Sequence, residues 1–330
     1  MVGSLGFPGI ATFHSKPYPA ISPLRPELSQ AGRTVLITGA SSGIGFAIAR
    51  GFIQASAARV IITGRNEATI NEAVSNLASE VKAATSLTTI TGLVYDVASL
   101  SDTERLWAKL KNEGIYIDVL ILNAASIGAM KPLLEASLES VWQAMETNVR
   151  SHLDFTQRFY NQGGDKKKYL VNVSTSAIHN FFTEGDMVPT YSLSKNAGTL
   201  LIQQVAKDAD PAKLQLISFN PGGILTTAAK NAGYTEDSLA WDDGTFQYQG
   251  LEMNRRGDDA DMLGMIENLP GQWAVWGASD EAKFLHGRFV NAWWDVDELK
   301  SADIVGKLEA DRHLLRVGVV GIQAIPRGDN

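Results

Sequence analysis

The sequence predicts an α/β protein built on a doubly wound parallel sheet of about seven strands. Short, β-branched, apolar runs recur along the chain, each followed by a longer stretch with helical apolar spacing. Strand–helix alternation of this kind requires crossover connections, and crossovers give a parallel sheet covered by helices. Hydrophobic residues make up 45% of the 330 and charged residues 20%, which excludes a disordered or collagen-like chain.

The elements follow in order. Residues 1–32 carry prolines at 8, 17, 19, 23 and 26 without a steady period, and they read as an extended arm laid on the surface. Thr34 to Thr38 is a fully apolar, β-branched run of the kind that forms a buried parallel strand. A glycine-rich turn leads into a helix with Ile44, Ala47, Ile48, Phe52 and Ile53 on one face. Arg59 to Thr63 is the second strand, about 66–83 a polar helix, Leu87 to Val94 the third strand and Leu100 to Glu113 a helix. Val119 to Leu122 is a strand, and about 134–161 is one long helix or two. Tyr169 to Val173 is a strand, about 190–208 a helix, Leu214 to Phe219 a strand, and Arg288 to Val290 a last strand. No Gly-, Ser- or Pro-rich linker follows residue 32, so 33–330 reads as one domain. Within it, 226–270 is polar and irregular, with Trp241, Phe246 and Tyr248 among Asp and Gly, and reads as a substrate lid. Lys166, Lys167 and Lys168 read as a solvated corner before a strand.

Net charge is −7 and no basic run dominates, which argues against nucleic acid or an anionic membrane as partner. The absence of cysteine excludes disulfides and thiolate chemistry. No apolar run reaches the ~18 residues of a spanning helix, and residues 1–10 lack the basic start of a signal peptide. The expectation is a cytoplasmic protein. The histidines show no metal-ligand spacing, so no metal is expected. His179, in a loop without a visible partner, reads as structural more readily than as a substrate contact.

Three groups of residues carry chemistry. In Thr38-Gly39-Ala40-Ser41-Ser42-Gly43-Ile44-Gly45, Gly39 allows a tight turn, Gly43 lets the backbone approach a pyrophosphate, and Gly45 lets the helix pack on the strand. The first-turn N–H groups, that of Ile44 among them, face the phosphates with the positive end of the helix dipole. The second strand ends in Gly64-Arg65. No acidic residue stands there to bind a ribose 2′-hydroxyl, and the Arg65 guanidinium suits a 2′-phosphate, with Ser41 and Ser42 as further donors. This predicts NADP(H) over NAD(H). Tyr191 and Lys195 lie four apart, on one face of a helix. A cation beside a phenol favours the phenolate, which makes Tyr191 a usable acid and base.

With TGASSGIG at 38–45, Asp96-Val97 after the third strand, Asn123 after the fourth and YSLSK at 191–195 in register, the chain resembles the short-chain dehydrogenase/reductase family over about 33–325. FVNAWWDVDEL at 289–299 makes it similar to the larger members from filamentous fungi. The resemblance implies a Rossmann-like sheet. It implies that Asp96 and Val97 meet the adenine, and that Asn123 and Ala124 line the cofactor in a segment where Leu122 replaces the family's first Asn. Asn148 would sustain a water relay to Lys195. Lys195 would also hold the nicotinamide ribose. The catalytic hydroxyl falls on Thr175, with Ser174 and Ser176 as alternatives. The loop Asn220 to Thr226 would contact the nicotinamide end, with Pro221, Gly222, Ile224 and Thr226 at the cofactor.

The implied reaction is NADPH-dependent reduction of a ketone or aldehyde, or the reverse oxidation, with Tyr191 as proton donor. The lid and the Phe181-Phe182 pair suggest a roomy, partly apolar pocket suited to a secondary-metabolite intermediate. The alternative is a cofactor-binding protein without redox turnover. Leu138, Val141, Trp142, Met145 and Val149 suggest a helix that pairs copies into a homodimer or homotetramer.

Overall fold

Seven parallel strands form one sheet in the computed structural model of the chain, which describes residues 6–83, 86–179, 188–224, 226, 230 and 260–319. In chain order they are β1 (Thr34–Ile37), β2 (Arg59–Gly64), β3 (Thr89–Val94), β4 (Val119–Leu122), β5 (Lys168–Val173), β6 (Leu214–Asn220) and β7 (Phe289–Asn291). They lie in the order β3-β2-β1-β4-β5-β6-β7. The order reverses between β1 and β4, which pair from Val35–Val119 to Ile37–Ile121. At such a reversal the loops leaving the two strand ends diverge to opposite faces and open a crevice. The predicted α/β sheet is borne out.

Helices cover both faces. They are α1 (Gly43–Gln54), α2 (Glu67–Ala83), α3 (Leu100–Asn112), α4 (Leu138–Met145), α5 (Ser151–Tyr160), α6 (Pro189–Asp208), α7 (Ala260–Gly277), α8 (Val296–Leu299) and α9 (Ala302–Ala310). Because side chains alternate along a strand, each strand feeds two cores. Val35, Ile37, Val60, Ile62, Val171 and Phe219 meet α1, α2 and α7 on one face. Leu36, Ile61, Leu120, Leu170 and Leu216 meet α3, α5 and α6 on the other. Burial on both faces explains why these strands read as unbroken apolar runs.

Three features differ from the expectation, and one, the stretch expected as one long helix or two, is refined. The 134–161 stretch is α4 and α5 joined by a π-helical turn, Glu146–Arg150. The stretch read as irregular to residue 270 is helical from Ala260. There α7 lies against α1 with backbones nearly touching: a Cβ on Gly271 would sit 2.5 Å from the Ala47 carbonyl oxygen, and one on Gly51 2.8 Å from that of Gly271. Residues 231–259 and the Phe181-Phe182 pair lie outside the described residues. Lys168 is not a solvated corner. It is buried, and its Nζ donates to the carbonyls of Tyr160 (3.3 Å) and Gly163 (3.5 Å).

The arm is the fourth. From Phe7 onward it runs through two short 3-10 turns, Pro19–Ile21 and Pro26–Leu28, and it inserts Ile10, Tyr18, Ile21 and Leu28 into the α1/α7 core. Proline at the first position starts each turn, where a missing N–H costs nothing. The arm then clasps the segment after β7. Phe13 bridges Trp294, and Tyr18 Oη donates to the Trp294 carbonyl (3.0 Å) and accepts from Val296 N (3.1 Å). Glu298 accepts from Ala11 N, Thr12 N and Thr12 Oγ1, while His14 pairs with Asp295 at 2.7 Å. Among the described residues no helix is long and apolar enough to cross a membrane.

Candidate active site

The glycine-rich turn after β1 and the segment after β4 are locked together at the crevice. Thr38 Oγ1 accepts from the backbone N of Asn123 (3.0 Å) and Ala124 (3.1 Å). Asn123 Nδ2 in turn donates to the carbonyls of Thr38 (2.9 Å) and Gly39 (2.8 Å). Leu122 is buried in the α3/α5/α6 core, so the side-chain ties between the two strand ends come from the Thr38 hydroxyl and the Asn123 amide. Gly39 has φ +64°, and a Cβ on it would lie 2.8 Å from the Ala124 Cα. A Cβ on Gly45 would lie 2.5 Å from Asn123 Nδ2. Only glycine meets both requirements at Gly39, a left-handed backbone and no room beside it. Gly43, at φ +58°, has the Thr226 methyl 3.2 Å from where its Cβ would be, so the loop after β6 closes over the turn. Ser42 is the N-cap of α1, and its side chain makes no capping hydrogen bond. Ile44 follows in the first turn of α1.

At the end of β2, Arg65 is exposed, and the β position of Gly64 lies 3.5 Å from Ser41 Oγ, which brings Ser41 to the same strand end. Asp96 shapes its own turn: its Oδ1 accepts from Ala98 N (2.9 Å), and its N donates to Asp102 Oδ2 (3.0 Å). Val97 beside it is buried. After β6, Gly222 takes φ +107° and donates to Asn220 Oδ1 (3.3 Å). Pro221 and Ile224 are buried, and Thr226 N donates to the Ile224 carbonyl (2.8 Å).

Lys195 is buried in α6 with its Nζ donating to the Val173 carbonyl at 2.5 Å. Burial pushes its pKa down from 10.5 to about 8, because a low-dielectric surround disfavours the charged form. Tyr191 lies one turn earlier on α6 and is half-buried. Asn148, in the π turn, is fully buried. Its Oδ1 accepts from Ser126 N (2.9 Å), and its Nδ2 donates to the Ser126 carbonyl (2.7 Å) and to Ser194 Oγ (2.8 Å). It therefore clamps the segment after β4 to the helix that carries Tyr191 and Lys195. The serines separate clearly. Ser174 is buried with its hydroxyl 2.6 Å from Thr199 Oγ1 of α6, so it faces the core. Thr175 is half-buried and its Oγ1 accepts from Ala177 N (3.3 Å), which leaves the hydroxyl hydrogen to donate elsewhere. Ser176 begins the 3-10 turn that follows. The His179 ring packs edge-on to Phe289, with centroids 5.7 Å apart.

The short chain dehydrogenase family model matches residues 33–237. The chain belongs to the short-chain dehydrogenase family. Among curated relatives, a short chain dehydrogenase/reductase of Claviceps purpurea is 34% identical over 94% of this chain and 93% of its own length. One from Aspergillus aculeatus is 29% identical over 94% of this chain and 95% of its own. Among solved structures, a short chain dehydrogenase from Shigella flexneri complexed with NADP matches with a TM-score of 0.63. It is 22% identical and covers 81% of this chain and 99% of that one. At that identity the match shows the fold. As a member of this family the chain is an oxidoreductase, and the Tyr191–Lys195 spacing and the glycine turn fall on the elements where its sequence placed them.

Two features of the site escaped the sequence reading. Ser126 and Ser194 were not singled out, because nothing in a loop serine or a helical serine announces a clamp. Asn172, between Val171 and Val173 in a fully buried strand, does carry a signal, since a buried amide requires a buried partner, and that partner is His152.

Proposed function

We propose that this dehydrogenase is an NADPH-dependent reductase of ketones or aldehydes, able to run in reverse by oxidising the corresponding alcohols with NADP+. The observation that carries the reading is Lys195: a buried ammonium on the face of α6 that also bears Tyr191, anchored at the end of β5 by the Val173 carbonyl. The turn fits a dinucleotide. Side chains at Gly39 and Gly45 would collide with Ala124 and Asn123 and push the turn out of shape, and the first turn of α1, without a side-chain cap, offers N–H groups and the positive dipole end to a pyrophosphate. Arg65 and Ser41 would hold the 2′-phosphate, Asp96 and Val97 the adenine, Asn123 and Ala124 the ribose side of the crevice, and Pro221, Gly222, Ile224 and Thr226 the nicotinamide end.

When bound, the reduced nicotinamide supplies the hydride. Tyr191 donates the proton from its phenolic oxygen to the oxygen of the substrate carbonyl. Lys195 favours the phenolate left behind and steadies the adjoining ribose. Thr175 donates a hydrogen bond to the same substrate oxygen, so that charge developing there meets two placed donors. Asn148 keeps the relay to Lys195 in place by fixing Ser126 against Ser194. An apolar secondary-metabolite intermediate is the substrate class, a reading supported by the filamentous-fungal relatives. Leu138 and Trp142 are exposed and Val141, Met145 and Val149 half-buried along this helical stretch, which supports assembly into a homodimer or homotetramer.

The test is NADPH and NADH oxidation with a panel of aromatic and polycyclic ketones, with the alcohol products identified by mass spectrometry. Turnover with NADPH is expected. Arg65→Ala should weaken NADPH binding about tenfold or more and leave NADH unaffected, as loss of a charge-assisted phosphate contact requires. No consumption of either cofactor, and no reduction of NADP+ by the matching alcohols, contradicts the reading.

A further inference from the structure

The face of the sheet under α5 and α6 is apolar for most of its depth and turns polar at the strand ends. There His152 of α5, almost completely buried, has its Nε2 3.1 Å from Asn172 Oδ1 of β5. Asn172 Nδ2 donates to Ser218 Oγ of β6 at 3.0 Å. The carboxamide and the imidazole share a hydrogen bond whose direction follows the tautomer of the ring. Nδ1 lies 3.4 Å from Ser151 Oγ, and the ring also hydrogen-bonds to the Thr147 backbone. The residue after Asn172 is Val173, whose carbonyl accepts Lys195 Nζ. Gly198, three residues after Lys195, has a β position 2.3 Å from the Asn148 carbonyl oxygen and 3.9 Å from His152 Cδ2. The imidazole therefore packs against the bare stretch of the helix that carries Lys195.

We propose that His152 is a positioning residue for Lys195: its hydrogen bond with Asn172 holds the end of β5 so that the Val173 carbonyl meets the ammonium, and its ring packs against the helix that carries Lys195. The inference rests on the reductase reading. Among the described residues Lys195 is the charged group that acts on His152 from a packed element, while β5 and β6 present the Asn172 amide and the Ser218 hydroxyl. Burial, and after it the Lys195 charge, lowers the His152 pKa to about 3, so the ring stays neutral where the enzyme works. An apolar side chain here would leave the Asn172 amide buried without this partner, and the strand end would be free to shift.

The test compares His152→Gln with His152→Leu in the full-length protein. Gln offers an amide that can donate or accept close to the imidazole Nε2 position; Leu offers neither. Two quantities are followed: kcat with NADPH and a carbonyl substrate, and the titration of Lys195, read by NMR of isotope-labelled lysine and assigned with Lys195→Met. Lys195 is expected to titrate near pH 8 in wild type and in His152→Gln, and to move by half a pH unit or more in His152→Leu. The kcat is expected to fall about tenfold in His152→Leu, in line with a lost buried hydrogen bond, and to recover most of that loss in His152→Gln. Should His152→Leu not fold, the double variant His152→Leu/Asn172→Val removes donor and acceptor together, and it is expected to show the same displaced titration and low kcat. Wild-type titration and kcat in His152→Leu, or in the double variant where that protein does not fold, overturn the proposal, as does a His152→Gln protein as impaired as His152→Leu. If wild type reduces no carbonyl, the reductase reading fails on that result, and the Lys195 titration still decides the role of His152.

Discussion

At Lys195 and His152 the folded chain holds two bases in their less protonated forms, each in its own pH window. His152 has a folded pKa of about 3 against 6.5 for the free side chain. Between those values the unfolded chain binds more protons, so the stability present above pH 6.5 is lost as pH falls toward 3. Lys195, at about 8 against 10.5, destabilises the fold while charged, and stability rises as pH climbs between those values. The acid limb is the cleaner test. Urea unfolding of wild type should lose about 2 kcal/mol between pH 7 and pH 5 relative to His152→Gln, from the His152 shift alone. Parallel curves for the two proteins would show that residue 152 is not a buried neutral histidine. The same residue scale separates the hydroxyls after β5. Ser174 is committed to Thr199, which leaves Thr175 as the hydroxyl with a hydrogen to give.

At the scale of elements, the site depends on how closely α6 approaches the π turn. A Cβ at residue 198 would fall 2.3 Å from the Asn148 carbonyl oxygen, closer than any carbon can stand. Gly198→Ala should push α6 from the turn, strain the Asn148–Ser194 clamp and misplace Tyr191 and Lys195 together. Expected is a fall in kcat of about a hundredfold, the scale of a misplacement near 1 Å, with the fold kept by circular dichroism; an unimpaired enzyme would show that the approach is not needed. Here the limits of sequence reading are physical. The strands were legible because parallel strands buried on both faces must be apolar throughout. The Tyr191–Lys195 pair was legible because helical spacing alone puts residues four apart on one face. The π turn was not, since it is set by the Asn148 clamp to residues 22 and 46 positions away. Nor was α7, whose docking depends on two glycines, Gly51 and Gly271, far apart in sequence.

At the scale of the whole molecule, the arm is part of the core. Its prolines and lack of period suggested a surface strap, because 3-10 turns this short carry no pattern, and its partners, Trp294 to Glu298, lie more than two hundred residues away. Arm and C-terminal segment seal the β7 side: Asp295 N donates to the Thr12 carbonyl and Phe289 N to that of Leu315. Truncation to residue 29 would expose the surface that Ile10, Tyr18, Ile21 and Leu28 cover, about 6 kcal/mol of burial. The melting temperature should fall by roughly 10 °C or more. An unchanged melt would mean that the clasp contributes nothing to the fold.

The most direct measurement of the central claim is NADPH binding and single-turnover NADPH oxidation side by side in wild type and Tyr191→Phe. The account predicts that the variant binds NADPH nearly as tightly as wild type and oxidises almost none of it in the presence of a carbonyl substrate. Full oxidation by Tyr191→Phe would contradict it.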